Sequence, residues 1–248
     1  TRRSPRAVFR RSPTRLRPSE NPLSDPKEVF MNTVSIQNLS HRYGKTLALD
    51  DVSLDIPKGA TVGLIGPDGV GKSTLLRICA GLLLPTGGEV LLEGETVGGL
   101  GAVKRSERVG FLFQDPERQL FHSTVRDEVL FSLRNTALPR EERERRLSAS
   151  LDETGLTGKE GCHPLDLNSA ERRMVALASL GIREPDLLLL DEPTRELDAV
   201  WLARFERWLA NRRAAVLAIS HDPAFVSRIF SRVWHLKEGH LENSFSRA

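Results

Sequence analysis

The chain has 248 residues, of which 28% are charged and 39% are hydrophobic, a composition typical of a globular protein with a substantial core. No apolar run approaches the ~18 residues needed to cross a bilayer, so we expect any link to a membrane to run through another subunit. The net charge of +3 divides into +5 for residues 1–30 and −2 for the remainder, so no nucleic-acid partner is expected for the body of the protein.

Residues 1–30 are rich in arginine, proline and serine and contain few apolar side chains. Such a segment buries too little apolar surface to offset its ordering entropy, so we predict a disordered basic tail over 1–30. Met31 directly precedes the first predicted strand, and a chain start at Met31 is the alternative interpretation. The folded domain is predicted over 31–248.

From Val34 onward, apolar segments alternate with turns and with helical patterns. The predicted strands are 34–39, 48–56, 61–65, 89–92, 109–113, 187–190 and 215–219. The predicted helices are 73–84, 139–160 and 169–180. The unbroken apolar runs at 187–190 and 215–219 are typical of buried parallel strands, so we predict an α/β fold with a mostly parallel sheet.

Residues 66–73, GPDGVGKS, fit the phosphate-loop pattern G-x-x-x-x-G-K-[ST] between a predicted strand and a predicted helix. The glycines let backbone N–H groups curl around phosphate, and the helix N-terminus adds a favourable dipole. We predict that Lys72 reaches the β- and γ-phosphates of ATP and that Ser73 holds Mg²⁺. The other predicted nucleotide-binding residues here are Gly66, Pro67, Asp68, Gly69, Val70, Gly71 and Thr74.

Four leucines precede two carboxylates at residues 187–192. Asp191 lies at the end of this predicted strand and can support Mg²⁺, directly or through water. Glu192 can polarise the attacking water as a general base. The pair could instead be a solvated strand end, but a phosphate loop upstream favours the catalytic interpretation.

Over about residues 32–242 the chain resembles the ABC ATPase family. Gln114 follows a predicted strand, as that family's Q-loop glutamine does, and the resemblance implies a catalytic and metal-binding role. His221 ends another apolar run, as the family's switch histidine does. Tyr43 falls where an aromatic ring stacks on adenine, and Asp198 falls in the family's D-loop.

The resemblance implies a P-loop NTPase core with a mostly parallel sheet, an N-terminal antiparallel β subdomain and a helical subdomain over about 115–180. It implies ATP and Mg²⁺ as cofactors and two ATPase subunits that close over two ATP. Residues 113–121, FQDPERQLF, look similar to the ATPase subunits of energy-coupling-factor transporters, which import vitamins and transition-metal ions. The implied partners are transmembrane subunits, at the cytoplasmic face of the cell membrane.

The family's L-S-G-G-Q motif should fall at residues 167–171, which read LNSAE and are called the signature segment below. In the family this motif contacts the γ-phosphate bound by the opposite subunit. Asn168 can still donate a hydrogen bond, Ser169 replaces the usual serine if the register shifts by one, Ala170 adds a Cβ, and Glu171 adds a negative charge. We therefore predict a heterodimer with a second ATPase subunit, with a homodimer as the alternative.

Two other functions fit a nucleotide-binding domain of this kind. A soluble ABC ATPase of translation or DNA repair is disfavoured because the chain has one phosphate loop and no sustained heptads. An ATP-sensing module is disfavoured because Asp191, Glu192 and His221 are all in place. We predict an ATPase that converts ATP and water to ADP and phosphate, coupled to transport.

Overall fold

The computed structural model describes residues 32–246 together with Thr1, and the predicted tail therefore lies almost entirely outside the described residues. The strands in chain order are β1 (Asn32–Tyr43), β2 (Thr46–Pro57), β3 (Thr61–Ile65), β4 (Gly87–Leu92), β5 (Glu95–Thr96), β6 (Val109–Leu112), β7 (Leu187–Asp191), β8 (Ala215–Ile219), β9 (Arg232–Lys237) and β10 (His240–Ser246). The helices are α1 (Lys72–Cys79), α2 (Ala102–Arg108), α3 (Val125–Phe131), α4 (Arg140–Thr154), α5 (Ser169–Gly181), α6 (Ala199–Ala210) and α7 (Pro223–Ile229).

The strands form two sheets. Strands β2, β1, β4 and β5 lie in that order in a four-stranded antiparallel sheet. The second sheet has the order β10-β9-β3-β8-β7-β6, and its pairings are parallel except for the antiparallel pair of β9 and β10. The predicted α/β class, with an N-terminal antiparallel sheet and a mostly parallel core, is confirmed.

Strand β7 lies between two hydrophobic cores, which explains its unbroken apolar sequence. Leu188 and Leu190 belong to the core that includes residues of α3, α4, α5 and α6. Leu187 and Leu189 belong to the core that includes α1 and the antiparallel sheet. Successive side chains of a strand point to opposite faces, so a strand covered on both faces needs apolar residues at every position.

Two predicted helices end earlier than their sequence patterns suggest. Helix α1 ends at Cys79 rather than at 84, and Gly81 just beyond it has a φ of 66°. Helix α4 ends at Thr154 rather than at 160, because Gly155 adopts the left-handed conformation with a φ of 76°. Glycine takes this conformation without a Cβ penalty and commonly terminates helices. Leu156, just beyond Gly155, is fully buried, whereas Leu82 and Leu84, beyond Gly81, are exposed.

The topology brings several chain segments to one edge of the parallel sheet. The carboxyl ends of β3, β6, β7 and β8 all lie at this edge, because these strands run parallel. Helices α3, α4 and α5 pack on one another within the 115–180 range predicted for the helical subdomain. None of the helices in the described part of the chain is long and apolar enough to cross a membrane.

Candidate active site

The carboxyl edge of the parallel sheet opens into a cavity of about 870 Å³. Segments that are distant in sequence meet there: the end of β1, the loop after β3, and the residues that follow β6, β7 and β8. Most of the predicted site residues line this cavity, namely Tyr43, Asp68, Gly69, Val70, Gly71, Lys72, Ser73, Thr74, Gln114, Asp191, Glu192 and His221.

Lys72 is the buried cation of the phosphate loop. Its side chain is only 7% exposed, and its Nζ donates hydrogen bonds to the carbonyl oxygens of Gly66 and Pro67, each at 2.8 Å. The Asp68 carboxylate lies 3.6 Å from the same nitrogen. The predicted residues Gly66 and Pro67 therefore shape the base of the loop and orient Lys72, while the residues after them face the cavity.

Two glycines of the phosphate loop have no room for a side chain. A Cβ on Gly66, whose φ is +145°, would lie 2.3 Å from the carbonyl oxygen of Leu236. A Cβ on Gly71, whose φ is +113°, would lie 2.5 Å from the carbonyl oxygen of Ala48. Both positions combine a positive φ with a close backbone approach, so glycine is required at each for the loop to take this path.

Asp191 ends β7 beside the phosphate loop. It is 7% exposed, and burial raises the pKa of its carboxyl group, while a hydrogen bond from the Ser73 side chain acts in the opposite direction. The side chains of Ser73, Asp191 and Gln114 line the same cavity, and each carries an oxygen atom. Oxygen is the ligand type that Mg²⁺ prefers. The donor set therefore fits a magnesium ion shared with a bound phosphate.

Glu192 has an unusual backbone conformation, with a φ of 50°. Its N–H donates to the carbonyl oxygen of Ile219 at 3.1 Å, which ties the end of β7 to the end of β8. Burial raises the pKa of the Glu192 carboxyl group, and His221 acts against this shift. His221 Nε2 lies 3.2 Å from Glu192 Oε1 and 3.3 Å from Asp68 Oδ1, so a carboxylate with raised basicity sits beside a histidine over the phosphate loop.

Tyr43 lines the cavity where β1 ends. Its hydroxyl is 3.4 Å from the Thr74 hydroxyl at the start of α1. Its ring meets the buried His41 ring edge-on, with the ring centroids 4.6 Å apart. The side chain is half-exposed, so part of the aromatic ring is available for stacking with a flat ligand.

The signature segment and Asp198 do not line the cavity of their own chain. Asn168 caps α5: its Oδ1 accepts from the Glu171 N–H at 2.9 Å, and the Glu171 carboxylate accepts from the Asn168 N–H at 3.2 Å. Lys159 Nζ lies 3.5 Å from the same carboxylate and offsets its charge. Asp198 caps α6 by accepting from the N–H groups of the second and third residues of that helix, each at 2.9 Å.

Sequence reasoning missed several residues of the site. Arg195, three residues after Glu192, lines the cavity with a half-exposed guanidinium, and its position just after the carboxylate pair was the available signal. Glu238 and Gly239, between β9 and β10, also line it, but no motif marks them. The buried Arg173 touches the backbone of two cavity residues, and nothing in its local sequence indicates that contact.

Comparisons with known proteins agree with this geometry. The sequence model of the ABC transporter family matches residues 49–195. The energy-coupling factor transporter ATP-binding protein of Methanothermobacter thermautotrophicus is 36% identical over 214 residues, which cover 84% of this chain and 69% of that protein. Among solved structures, cbiO1 of Clostridium perfringens, part of the ABC transporter complex cbiONQ, has a TM-score of 0.77 at 29% identity, over 85% of this chain and 87% of that one. A dimeric ATP-binding cassette in a post-hydrolysis state, bound to ADP and Pi, has a TM-score of 0.77 at 27% identity, over 87% of this chain and 99% of that one.

Proposed function

Because this chain belongs to the ABC transporter family and is an ATPase, we propose that it is the ATP-hydrolysing subunit that powers a membrane importer of the energy-coupling-factor type. This proposal rests on the observation that the phosphate loop, Asp191, Glu192 and His221 line one and the same cavity. The importer type is supported by the similarity to an energy-coupling factor ATPase and to a subunit of a cbiONQ complex.

In the proposed mechanism, the backbone N–H groups of the phosphate loop and the Lys72 ammonium bind the phosphates of ATP. Ser73, Asp191 and Gln114 would hold Mg²⁺, which supplies charge neutralisation of the phosphates when it is bound. Tyr43 offers its ring to the adenine base. These residues orient the nucleotide so that its terminal phosphate faces the ends of β7 and β8.

Glu192 is proposed to act as the general base. Its raised pKa makes its carboxylate a better proton acceptor than an ordinary glutamate, and it can take a proton from the water that attacks the terminal phosphate. His221, 3.2 Å from Glu192 Oε1, orients that carboxylate and can donate a hydrogen bond towards phosphate oxygen. The bond formed joins water oxygen to phosphorus, and the bond broken releases ADP.

A second ATPase subunit completes each proposed site. Asn168, Ser169, Ala170, Glu171 and Asp198 would then contact the nucleotide bound by the partner, as the family resemblance implies. This placement is supported by their position outside the cavity of their own chain and by the dimeric assembly of a related cassette. The Asn168 side chain is engaged in the α5 cap, and Glu171 adds a carboxylate. Both features favour a heterodimer whose other subunit carries an unaltered motif.

The transmembrane partner is proposed to dock beside residues 113–121. The Phe121 side chain is 68% exposed there, and its ring packs edge-on against Phe131 at 5.2 Å between centroids. The Arg134 guanidinium lies over the Phe131 ring, 4.0 Å from its centroid. An exposed aromatic group held by its neighbours is a typical anchor for a protein partner. This arrangement would place the chain at the cytoplasmic face of the membrane.

Co-purification tests the proposed function. A tagged full-length chain, expressed in its own host and recovered from detergent-solubilised membranes, should bring down an integral membrane protein and a second ATPase subunit. The same experiment with the Phe121→Ala variant should recover the ATPase subunit but not the membrane protein. Recovery of ribosomal or DNA-repair proteins alone, with no membrane protein, would contradict the transporter role.

A further inference from the structure

Arg173 is a buried cation outside the residues that line the active-site cavity. It lies in the second turn of α5, and its exposed fraction is only 2%. Burial lowers the pKa of its guanidinium, with Glu196 acting in the opposite direction. Among the described residues, no carboxylate forms an ion pair with it, and its Nε has no hydrogen-bond partner. A buried charge without an ion pair is expensive, so its contacts need a physical explanation.

Within the described part of the chain, Arg173 donates two hydrogen bonds, and both go to backbone carbonyl groups of the active site. Its Nη2 donates to the carbonyl oxygen of Gln114 at 3.1 Å. Its Nη1 donates to the carbonyl oxygen of Glu192 at 3.2 Å. The planar guanidinium presents its N–H groups as a rigid fork, so these two carbonyls are held at a fixed separation. One side chain therefore connects α5 with the segments after β6 and β7.

Of the two backbone segments that Arg173 contacts, the one at Glu192 depends more strongly on its contacts. Its left-handed φ of 50° is costly for a residue with a side chain, so the surrounding contacts must hold it. Its N–H donates to Ile219, and its carbonyl accepts from the Arg173 guanidinium and from the Arg195 N–H at 3.3 Å, so the peptide units on both sides of its Cα are fixed. The direction of the Glu192 side chain towards His221 follows from this restraint.

We propose that Arg173 is a positioning residue for hydrolysis, which sets the Glu192 carboxylate and Gln114 in their catalytic places and links both to α5. The inference rests on the proposed role of Glu192 as the general base. A displacement of a catalytic group by ~1 Å can lower turnover by about 10²-fold, so a loosened backbone at Glu192 should reduce kcat strongly. Nucleotide binding through the phosphate loop should change little, because Arg173 touches neither Lys72 nor Ser73.

The first test compares Arg173→Met with Arg212→Met in the full-length chain. Arg212 is a matched control, because it is also largely buried and donates to a backbone carbonyl, that of Trp208 at 3.1 Å, away from the cavity. Both variants should lower the melting temperature. Only Arg173→Met should lower kcat, by about tenfold or more, with the Kd for ATP within about twofold of wild type. An equal loss of kcat in both variants, or full turnover in Arg173→Met, would overturn the proposal.

A second variant keeps the test informative if Arg173→Met does not fold. Arg173→Lys retains the charge, but its single ammonium lacks the fork that spans both carbonyls. It should fold, bind ATP normally and turn over several times more slowly than wild type. Wild-type kcat in Arg173→Lys would overturn the two-carbonyl role.

A double-mutant cycle separates this inference from the proposed function. In a Glu192→Gln background, measured by single-turnover hydrolysis, Arg173→Lys should cause little further loss, because it acts through Glu192. A further loss as large as in the wild-type background would overturn the positioning role. If Glu192→Gln itself retained wild-type turnover, the assignment of the general base would fail instead.

Discussion

The charged side chains of the cavity are held mainly by burial and by backbone contacts. Lys72 donates hydrogen bonds to two carbonyl oxygens of its own loop, and the Ser73 side chain acts against the rise in pKa that burial causes at Asp191. Glu192 is fixed through its backbone, and among residues 32–246 it has no salt bridge to a lysine or arginine. These groups therefore keep their positions while their charges remain available to phosphate, metal and water, which is the arrangement that electrostatic catalysis requires.

Replacement of Glu192 should separate binding from hydrolysis. We expect Glu192→Gln to bind Mg-ATP with near-normal affinity and to lose about 10²–10⁴-fold in kcat, because the amide cannot accept the proton of water. Steady-state hydrolysis and equilibrium titration with an ATP analogue measure the two effects. Lys72→Ala is the contrasting variant, and it should weaken the binding itself. Near-wild-type hydrolysis by Glu192→Gln would remove Glu192 from the base role.

The pH dependence of turnover should reflect the ionisation of the Glu192 carboxyl group. Burial raises the pKa of Glu192 above its ordinary value of 4.5, and the base works only when deprotonated. As pH falls, kcat should therefore decline at a higher pH than an ordinary glutamate would give. The profile is measured at saturating ATP, and the residual activity of Glu192→Gln should lack this limb. An unchanged acid limb in that variant would assign it to another group, such as Asp191.

The raised pKa also has a consequence for stability. The folded state holds the Glu192 proton more tightly than the unfolded state does, so stability at neutral pH is reduced by ionisation of this group. Glu192→Gln should therefore melt at the same temperature as wild type or higher at pH 7 without nucleotide, and this control shows that its lost turnover is not lost folding.

At the scale of elements, helix N-termini have two different roles in this molecule. The N-terminus of α1 is left without a side-chain cap and opens onto the phosphate loop. Helix α5 is closed by a capping box between Asn168 and Glu171. The capping box provides acceptors for two N–H groups at the start of α5, those of Asn168 and Glu171. The start of the first helix is therefore left open to an anion, whereas α5 satisfies two of its N-terminal N–H groups with its own side chains.

The cap of α5 should contribute measurably to stability. We expect Asn168→Ala to lower the free energy of unfolding by about 1 kcal/mol, because the N–H of Glu171 loses its acceptor. Asn168→Asp is the matched control, since aspartate caps helices equally well, and it should retain wild-type stability. Urea denaturation measures both variants. Equal stability of Asn168→Ala and wild type would show that the cap has no net effect.

At the scale of the whole molecule, the chain carries its phosphate loop and its signature segment on different surfaces. The cavity includes no residue between 167 and 171. A γ-phosphate contact from this segment therefore requires a second chain. In a homodimer both sites would receive Asn168, Ala170 and Glu171, whereas a heterodimer confines the altered segment to the partner's nucleotide.

A restored signature segment tests the heterodimer prediction. The variant combines Asn168→Ser, Ser169→Gly, Ala170→Gly and Glu171→Gln, and it is compared with the unmodified chain without a partner at concentrations where ATP induces dimers. We expect slow hydrolysis by the unmodified chain and about tenfold or more gain in the restored variant, as expected for a recovered contact to transition-state charge. Melting temperatures control for the added glycines. Robust hydrolysis by the unmodified chain, with no gain on restoration, would contradict the heterodimer.

The sequence by itself determined the features that lie within one continuous segment. The order of strand, glycine-rich loop and helix around Lys72 predicted the phosphate loop, because this loop is defined by local backbone conformation and by the residue types that permit it. The apolar run that ends in Asp191 and Glu192 predicted a strand buried on both faces, because no face of such a segment can meet water. The family resemblance added the antiparallel sheet, which the structure confirms.

Only the tertiary structure decided which separate segments meet. Arg173 bonds the backbones of Gln114 and Glu192, which lie 59 and 19 residues away in sequence, and no local pattern specifies such pairs. The ion pair between Lys159 and Glu171 likewise depends on the tertiary structure, because the loop that carries Lys159 must fold back onto the start of α5. Local residue preferences select helices, strands and turns, whereas contacts between them follow from how the two cores pack against the sheet, and that packing is a property of the whole chain.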